Sequence, residues 1–194
     1  MATAAAALPI LPFTDQQAWK TWLAANHASS PGVWLQIAKK NSGVPSVTYA
    51  EALEVALCYG WIDGQKKGRD ELSWLQKFTP RGPRSIWSKI NRAKAEELIA
   101  SGAMQPAGLA AVEQAKANGQ WDAAYDGQSN ASVPEDLQAA LDDSPDAQAF
   151  FATLNSRNRY AILHRIQTAK KPETRARRIA QYVEMLENGE RLYP

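Results

Sequence analysis

The sequence lacks the residues and motifs on which the commoner metal, cofactor and covalent chemistries depend. Its single cysteine, Cys58, excludes an internal disulfide. That residue lies among Ala and Leu with no Lys, Arg or His within one turn, which predicts an inert core thiol. The two histidines, His27 and His164, belong to no metal-binding pattern, so we expect no metal and no cofactor. A phosphate-binding loop, a dinucleotide-binding glycine turn and a nucleophile elbow are absent from the sequence as well.

Long hydrophobic runs are also missing. No apolar run approaches the roughly 18 residues that a membrane helix needs, so we expect no membrane span. Residues 1–12 lack a basic segment, and Pro9 and Pro12 interrupt their short apolar run. We interpret them as a flexible start rather than an export signal, and therefore expect a cytoplasmic protein.

Charge is abundant and unevenly distributed, although the net charge is only +2. Residues 39–94 hold 11 Lys and Arg against 5 Asp and Glu, residues 95–150 hold 1 against 10, and residues 151–194 hold 9 against 4. The two basic blocks either face an anionic partner or pack against the acidic middle of the chain.

Alternating apolar residues predict three β-strands, at 33–39, 61–69 and 72–79. A turn around Gly68–Asp70 joins the last two strands as a hairpin. We therefore expect a small antiparallel sheet of three or more strands, packed with helices.

Capping signals mark where the helices of the first half begin. Capping boxes at Thr14–Gln17 and Thr48–Glu51 open the first two helices. Ser85 is expected to cap a third, which runs to Ser101, and Pro106 opens a fourth.

Strands and helices come first and only helices follow, an order that predicts an α+β fold with a helical C-terminal half. We place an α+β domain at 1–120, a polar linker at 121–133 and a helical domain at 134–194. The clearest C-terminal helix begins after Pro172, and we interpret its basic run, 175–178, as a solvated face rather than a nucleic-acid site.

The first candidate for chemistry is Asp63, which lies between an aromatic residue and a glycine. If Ile62 points into the core, alternation places Trp61 and Asp63 together on the other face, as a binding wall. The alternative is a strand-end carboxylate that pairs with Arg69 or Lys66 on the hairpin.

The second candidate is the arginine pair Arg81 and Arg84, which flanks Gly82–Pro83 just before a predicted helix. Arginines bind carboxylates and phosphates in a bidentate manner, and a helix N-terminus attracts anions. The prolines limit the conformations of the loop, which lowers the entropic cost of binding. The alternative is that the pair joins this loop to the acidic middle of the chain.

These residues together predict a cleft for a small anionic or zwitterionic ligand or an acidic peptide end. Its expected members are Trp61, Asp63, Arg81, Arg84, Trp87, Ser88 and Asn91. A non-enzymatic binding module is our first hypothesis. The second is an enzyme that uses the same cleft, with Asp63 as general base and an arginine stabilising negative charge. The third is a nucleic-acid-binding protein, which the intervening acidic residues disfavour.

Several segments resemble the YdeI/OmpD-associated family, also called bacteriocin-protection proteins. The segments are Trp34–Leu35, Ser46–Leu53, Ala56–Gly64, Phe78–Arg81, Ser85–Lys89 with Asn91, Gly102–Met104, Pro106–Gly108, Ala169–Lys171 and Glu173–Arg175. The resemblance implies a role in protection against antimicrobial peptides and an association with an outer-membrane porin. It carries over no catalytic residue and no cofactor.

Overall fold

The strands of the first half form one four-stranded sheet. The computed structural model describes residues 7–194, and its strands are β1 (Ile10–Pro12), β2 (Val33–Ala38), β3 (Trp61–Gly68) and β4 (Ser73–Pro80). Their order in the sheet is β1-β2-β4-β3. The three predicted strands pair with one another antiparallel, β2 with β4 and β4 with β3, and β1 pairs with β2 in parallel. The α+β class is confirmed.

Strand β1 was not expected from the sequence. Its three residues lie in the segment that we interpreted as a flexible start, so for Ile10–Pro12 that interpretation is wrong. Residues 1–6, which belong to the same expectation, lie outside the described residues. The strand is short and interrupted by proline, which leaves no apolar alternation to recognise.

Helices alternate with the strands in the first half of the chain and make up its second half. In chain order they are α1 (Gln16–Asn26), α2 (Tyr49–Cys58), α3 (Lys89–Ala100), α4 (Pro106–Ala117), α5 (Glu135–Asp142), α6 (Pro145–Thr153), α7 (Ser156–Gln167) and α8 (Pro172–Glu187). The capping box at Thr48 is confirmed, because its hydroxyl and the Glu51 carboxylate each accept the other residue's backbone N–H. Helix α1 is capped one residue later than predicted, by Asp15, whose carboxylate accepts the N–H of Ala18.

The third helix starts at Lys89, so the prediction that Ser85 caps it is wrong. Ser85 instead closes a turn, in which its N–H donates to the Gly82 carbonyl (2.9 Å) and its hydroxyl accepts the Gly82 N–H (3.0 Å). The loop thus forms its own hydrogen bonds, and the Ser85 hydroxyl that was expected to cap the helix accepts one of them.

Gly60 turns the chain from α2 into β3. It has φ +72°, a left-handed conformation that favours glycine. A Cβ atom at this position would lie 2.7 Å from the Ala107 carbonyl oxygen. Glycine is therefore required here both by the backbone conformation and by the close approach of α4.

The chain divides into two compact units. Unit 1 comprises the residues up to Trp87 together with Asn91–Ala123, and unit 2 comprises Ser88–Ile90 together with Ala124–Pro194. Trp121, at the start of the segment interpreted as a polar linker, is buried within unit 1. That segment is therefore not solvated throughout.

The two units have cores of different composition. Unit 1 buries an aromatic cluster in which the Trp19 ring lies 5.7 Å from Phe78 and 6.4 Å from Trp61. The core of unit 2 is mainly aliphatic: Leu137, Leu141, Ala147, Phe151, Ile162, Leu163, Ile166, Ile179, Tyr182 and Leu186.

Candidate functional site

Trp61, the first residue of the predicted cleft, lies in the core of unit 1. Only 1% of its surface is exposed, and its ring packs edge-on against Trp22 at 6.0 Å. Its indole N–H donates to the carbonyl of His27 (3.1 Å). The condition that Ile62 points into the core is not met, because Trp61 is buried and Ile62 only half-buried. Trp19 and Trp22 of α1 pack against the Trp61 ring.

Asp63 is half-buried and accepts a hydrogen bond from the Tyr49 hydroxyl (2.8 Å). The alternative partners that the sequence suggested are engaged elsewhere. The ammonium of Lys66 lies 4.1 Å from the Trp74 ring centroid. The Nε atom of Arg69 lies 3.7 Å from Oδ2 of Asp70. The carboxylate therefore connects the start of α2 to β3.

Arg81 stacks on Trp87, with its guanidinium carbon 3.6 Å from the ring centroid. Its Nη1 donates to the carbonyl of Ile86 (3.2 Å), and its backbone N–H donates to the carbonyl of Gly60 (2.9 Å). Both side chains line a cavity of about 10 Å³, which has room for about one water molecule. The guanidinium thus holds its own loop together.

The remaining predicted residues lie in different environments. Arg84 is exposed, and among residues 7–194 no ion pair includes it. Ser88 is buried and forms a β-bridge with Tyr125 in unit 2. Asn91 is half-buried in the first turn of α3. The structure thus joins Arg81 to Trp87, while the shared cleft stays a prediction.

A wide groove lies in unit 2 between α5 and α8, with a volume of about 720 Å³. We call it the α5–α8 groove. Its floor is apolar and is formed by Ala140, Ala176, Ile179, Ala180 and Val183. Its charged lining residues are Asp136, Asp143, Glu184, Glu187 and Arg175.

Two contacts show that α5 and α8 run side by side in the same direction. Near their N-termini, the Arg175 guanidinium binds Asp136 in a bidentate manner, with Nε–Oδ2 2.6 Å and Nη2–Oδ1 2.8 Å. At the other end, the Ser144 hydroxyl donates to Glu187 (2.6 Å). Both helix C-termini, with their partial negative charges, therefore lie at the same end of the groove.

Negative charge is concentrated at that end. Asp143, Glu184 and Glu187 lie there, beside the N-terminus of α6 at Pro145. At the other end, Arg175 neutralises Asp136, and the hydrogen bonds between them lower the pKa of the Asp136 carboxyl and raise that of Arg175. The groove is therefore apolar along its length, neutral at one end and acidic at the other.

Two family comparisons match different parts of the chain. Residues 11–111, just over half of the sequence, match the family described as Domain of unknown function (DUF8412). The chain belongs to this family. Residues 130–189 match the family described as Bacteriocin-protection, YdeI or OmpD-Associated. Among curated proteins and among solved structures, no match was found.

The bacteriocin-protection resemblance is thus confirmed for residues 130–189. Most segments that suggested it from the sequence, such as Ala56–Gly64, lie instead within the DUF8412 match. Every residue that lines the α5–α8 groove lies within the bacteriocin-protection match.

Sequence reasoning missed this groove, although α8 carries a signal for it. Beside the buried stripe of Ile179, Tyr182 and Leu186 runs a second stripe of small apolar residues. Its members, Ala176, Ala180 and Val183, recur at i, i+4 and i+7 and are followed by acidic residues. Two adjacent apolar stripes on one helix indicate a second contact surface.

Burial raises the pKa of the Cys58 thiol, as expected of a core cysteine. Residues 7–194 contain no group of three or more His, Cys, Asp or Glu side chains placed to hold a metal ion. Within the same residues, no helix is long and apolar enough to cross a bilayer.

Proposed function

We propose that this protein is a non-enzymatic peptide-binding protein whose α5–α8 groove holds a basic, amphipathic helical peptide. The observation that carries the proposal is the combination, in one groove, of an apolar floor with an acidic rim that has few opposing cations.

The shape of the groove suits a helix. It follows α8 from Pro172 to Glu187, which corresponds to about 22 Å at the rise of an α-helix. Peptides that bind in such grooves lay apolar residues at i, i+3, i+4 and i+7 against the floor. The small side chains of Ala176 and Ala180 allow a peptide backbone to approach closely.

The charge of the groove suits a basic peptide. Of its five charged lining residues, Arg175 is bound to Asp136, so Asp143, Glu184 and Glu187 give the rim its net negative charge. Complementary charge speeds association and excludes acidic competitors.

The family match gives this chemistry a biological context. The matching family is named for bacteriocin protection, and the sequence resemblance implied protection against antimicrobial peptides. Binding of a basic amphipathic peptide is a direct way to protect against it. The cytoplasmic location and a porin association stay predictions.

The test is the binding of a fluorescein-labelled helical peptide of Lys and Leu at amphipathic spacing, measured by fluorescence anisotropy. A peptide of the same composition in scrambled order tests the need for an apolar face. We expect the amphipathic peptide to bind and the scrambled one to bind at least about tenfold more weakly, because burial of the apolar face is lost.

Charge reversal locates the site. The double variant Glu184→Lys, Glu187→Lys should weaken peptide binding at least about tenfold. The matched control, Glu96→Lys with Glu97→Lys on α3, makes the same change in net charge outside the groove and should bind as the native chain does. Equal loss in both double variants, or no binding to the native chain, contradicts the proposal.

The anionic-ligand cleft predicted from the sequence is a second proposal. Its support is Arg84, which is exposed and belongs to no ion pair within residues 7–194. A thermal-shift screen with small anionic and zwitterionic metabolites tests it. A rise in melting temperature that Arg84→Ala abolishes would favour the cleft, and a rise that the variant keeps would reject it.

A further inference from the structure

A second cavity lies in unit 1, between the start of α1 and the α2 helix, with a volume of about 420 Å³. We call it the Tyr59 cavity. Its size falls within the range of small-molecule sites. Its floor is formed by Val55, Cys58, Tyr59 and Leu98, so a ligand would meet mostly apolar surface there.

The hydroxyl of Tyr59 is a polar group that a molecule in this cavity can reach. The residue is 8% exposed and lines the cavity, and its ring contacts His27. Within the part of the chain that the structure describes, no group forms a hydrogen bond with this hydroxyl. The hydroxyl is not enclosed by protein and can therefore exchange a hydrogen bond with a molecule in the cavity.

The rim of the cavity is negatively charged. Asp15, Glu51 and Glu54 line it, against one cation, Lys20. Backbone hydrogen bonds to Ala18 and to Thr48, the largest causes, lower the pKa of Asp15 and of Glu51 respectively, so both stay ionised at neutral pH. Lys94 lies 3.5 Å from Glu54 outside the lining, and the balance stays negative even when this contact is counted.

We propose that the Tyr59 cavity binds a small organic cation with an apolar body, such as an arylalkylamine. The apolar body lies on Val55, Cys58 and Leu98, and the ammonium lies among the rim carboxylates. The Tyr59 hydroxyl bonds a polar atom of the ligand. The site lies within the DUF8412 match and shares no residue with the α5–α8 groove, so the two proposals fail independently.

The probes are phenethylamine and tyramine, with 2-phenylethanol and 3-phenylpropionate as neutral and anionic analogues of similar size. Isothermal titration calorimetry on the full chain measures binding. We expect the amines to bind at least about tenfold more tightly than the alcohol, and the carboxylate to bind most weakly. Equal binding of amine and alcohol, or no amine binding at millimolar concentration, overturns the proposal.

Two conservative variants test the residues involved. Tyr59→Phe keeps the ring and removes the hydroxyl, and should weaken tyramine binding about five- to tenfold. Glu54→Gln removes one rim charge without touching a helix cap, and should weaken both amines. Glu97→Gln, which removes a charge from exposed α3 surface, is the matched control and should bind as the native chain does. Unchanged binding by Tyr59→Phe and Glu54→Gln overturns the site.

Discussion

The two units contrast most clearly in the use they make of aromatic residues. All seven tryptophans lie in unit 1, and Trp19 and Trp61 are almost fully buried there. Unit 2 builds its core mainly from Leu and Ile and keeps an open groove beside it. Tryptophan in this chain therefore marks a core, and the α5–α8 groove lies in the unit that has no tryptophan.

The same contrast holds for arginine. In unit 1, Arg81 stacks on Trp87 and donates within its own loop. In unit 2, Arg175 fixes one end of a groove through Asp136 and also donates to the Ile166 carbonyl (3.0 Å). One arginine supports a closed loop, while the other helps to define an open surface. This contrast can be tested separately in each unit, because tryptophan emission follows unit 1 while circular dichroism follows the helices of both.

The largest effect is expected from Trp19→Ala, which removes the centre of the aromatic core. The side chain is fully buried and its N–H donates to the Ala52 carbonyl (3.1 Å). We expect a loss of about 3–5 kcal/mol in the free energy of unfolding of unit 1. Denaturant titration followed by tryptophan emission measures it. The control, Trp34→Ala, removes a partly exposed ring and should cost much less.

Gly60→Ala should be next, at about 2–4 kcal/mol. The substitution imposes the left-handed backbone penalty of roughly 1–2 kcal/mol and adds overlap with the Ala107 carbonyl. Gly102→Ala is a matched control, because Gly102 has φ +73° and open space around its Cβ position. The difference in unfolding free energy between the two variants measures the cost of the overlap with the Ala107 carbonyl. Equal losses of stability would show that α4 moves away from residue 60 without cost.

In unit 2, Arg175→Ala should cost about 1–2 kcal/mol, since it breaks a bidentate ion pair that is only partly exposed. The loss should appear in circular dichroism and leave the unfolding midpoint seen by tryptophan emission unchanged. Arg177→Ala, on the exposed side of α8, is the control. A shift in the midpoint seen by tryptophan emission with Arg175→Ala would contradict the expectation that its effect is confined to unit 2.

The smallest effect concerns His164, whose ring packs edge-on against Tyr125 at 4.6 Å. Burial, and then the charges of Arg165 and Arg178, lower its pKa from the usual 6.5. The folded state therefore holds fewer protons than the unfolded state, so this stabilisation is present above about pH 6.5 and is lost as pH falls through the folded pKa. His164→Gln should flatten the pH dependence of unit 2 stability below about pH 6.5. Urea titrations followed by circular dichroism check it, and an unchanged slope would contradict it.

Local signals predicted the elements well, and tertiary burial explains where they failed. Strands β2, β3 and β4 and the Thr48 cap were predictable because alternation and capping depend on neighbouring residues. Alternation also placed Trp61 and Asp63 on one face of β3. It could not say which face the helices cover, and so Trp61 was assigned to the outside.

The candidate site was less predictable than the fold. Ser85 carries a cap signal, but its loop uses the hydroxyl in a turn, which moves the helix start to Lys89. The α5–α8 groove arises from the approach of two helices whose starts lie more than 30 residues apart, and no local pattern encodes that approach. Only the second apolar stripe on α8 could have indicated it.

The short strand β1 has a consequence for solubility. It occupies the outer edge of β2, whose Val33, Leu35 and Ile37 alternate as in strands prone to intermolecular pairing. Pro12 lies within β1 and interrupts that edge, so a neighbouring molecule finds no continuous row of donors to extend. The three residues of β1, Ile10–Pro12, contribute little to the core, and we expect them to reduce edge-to-edge aggregation.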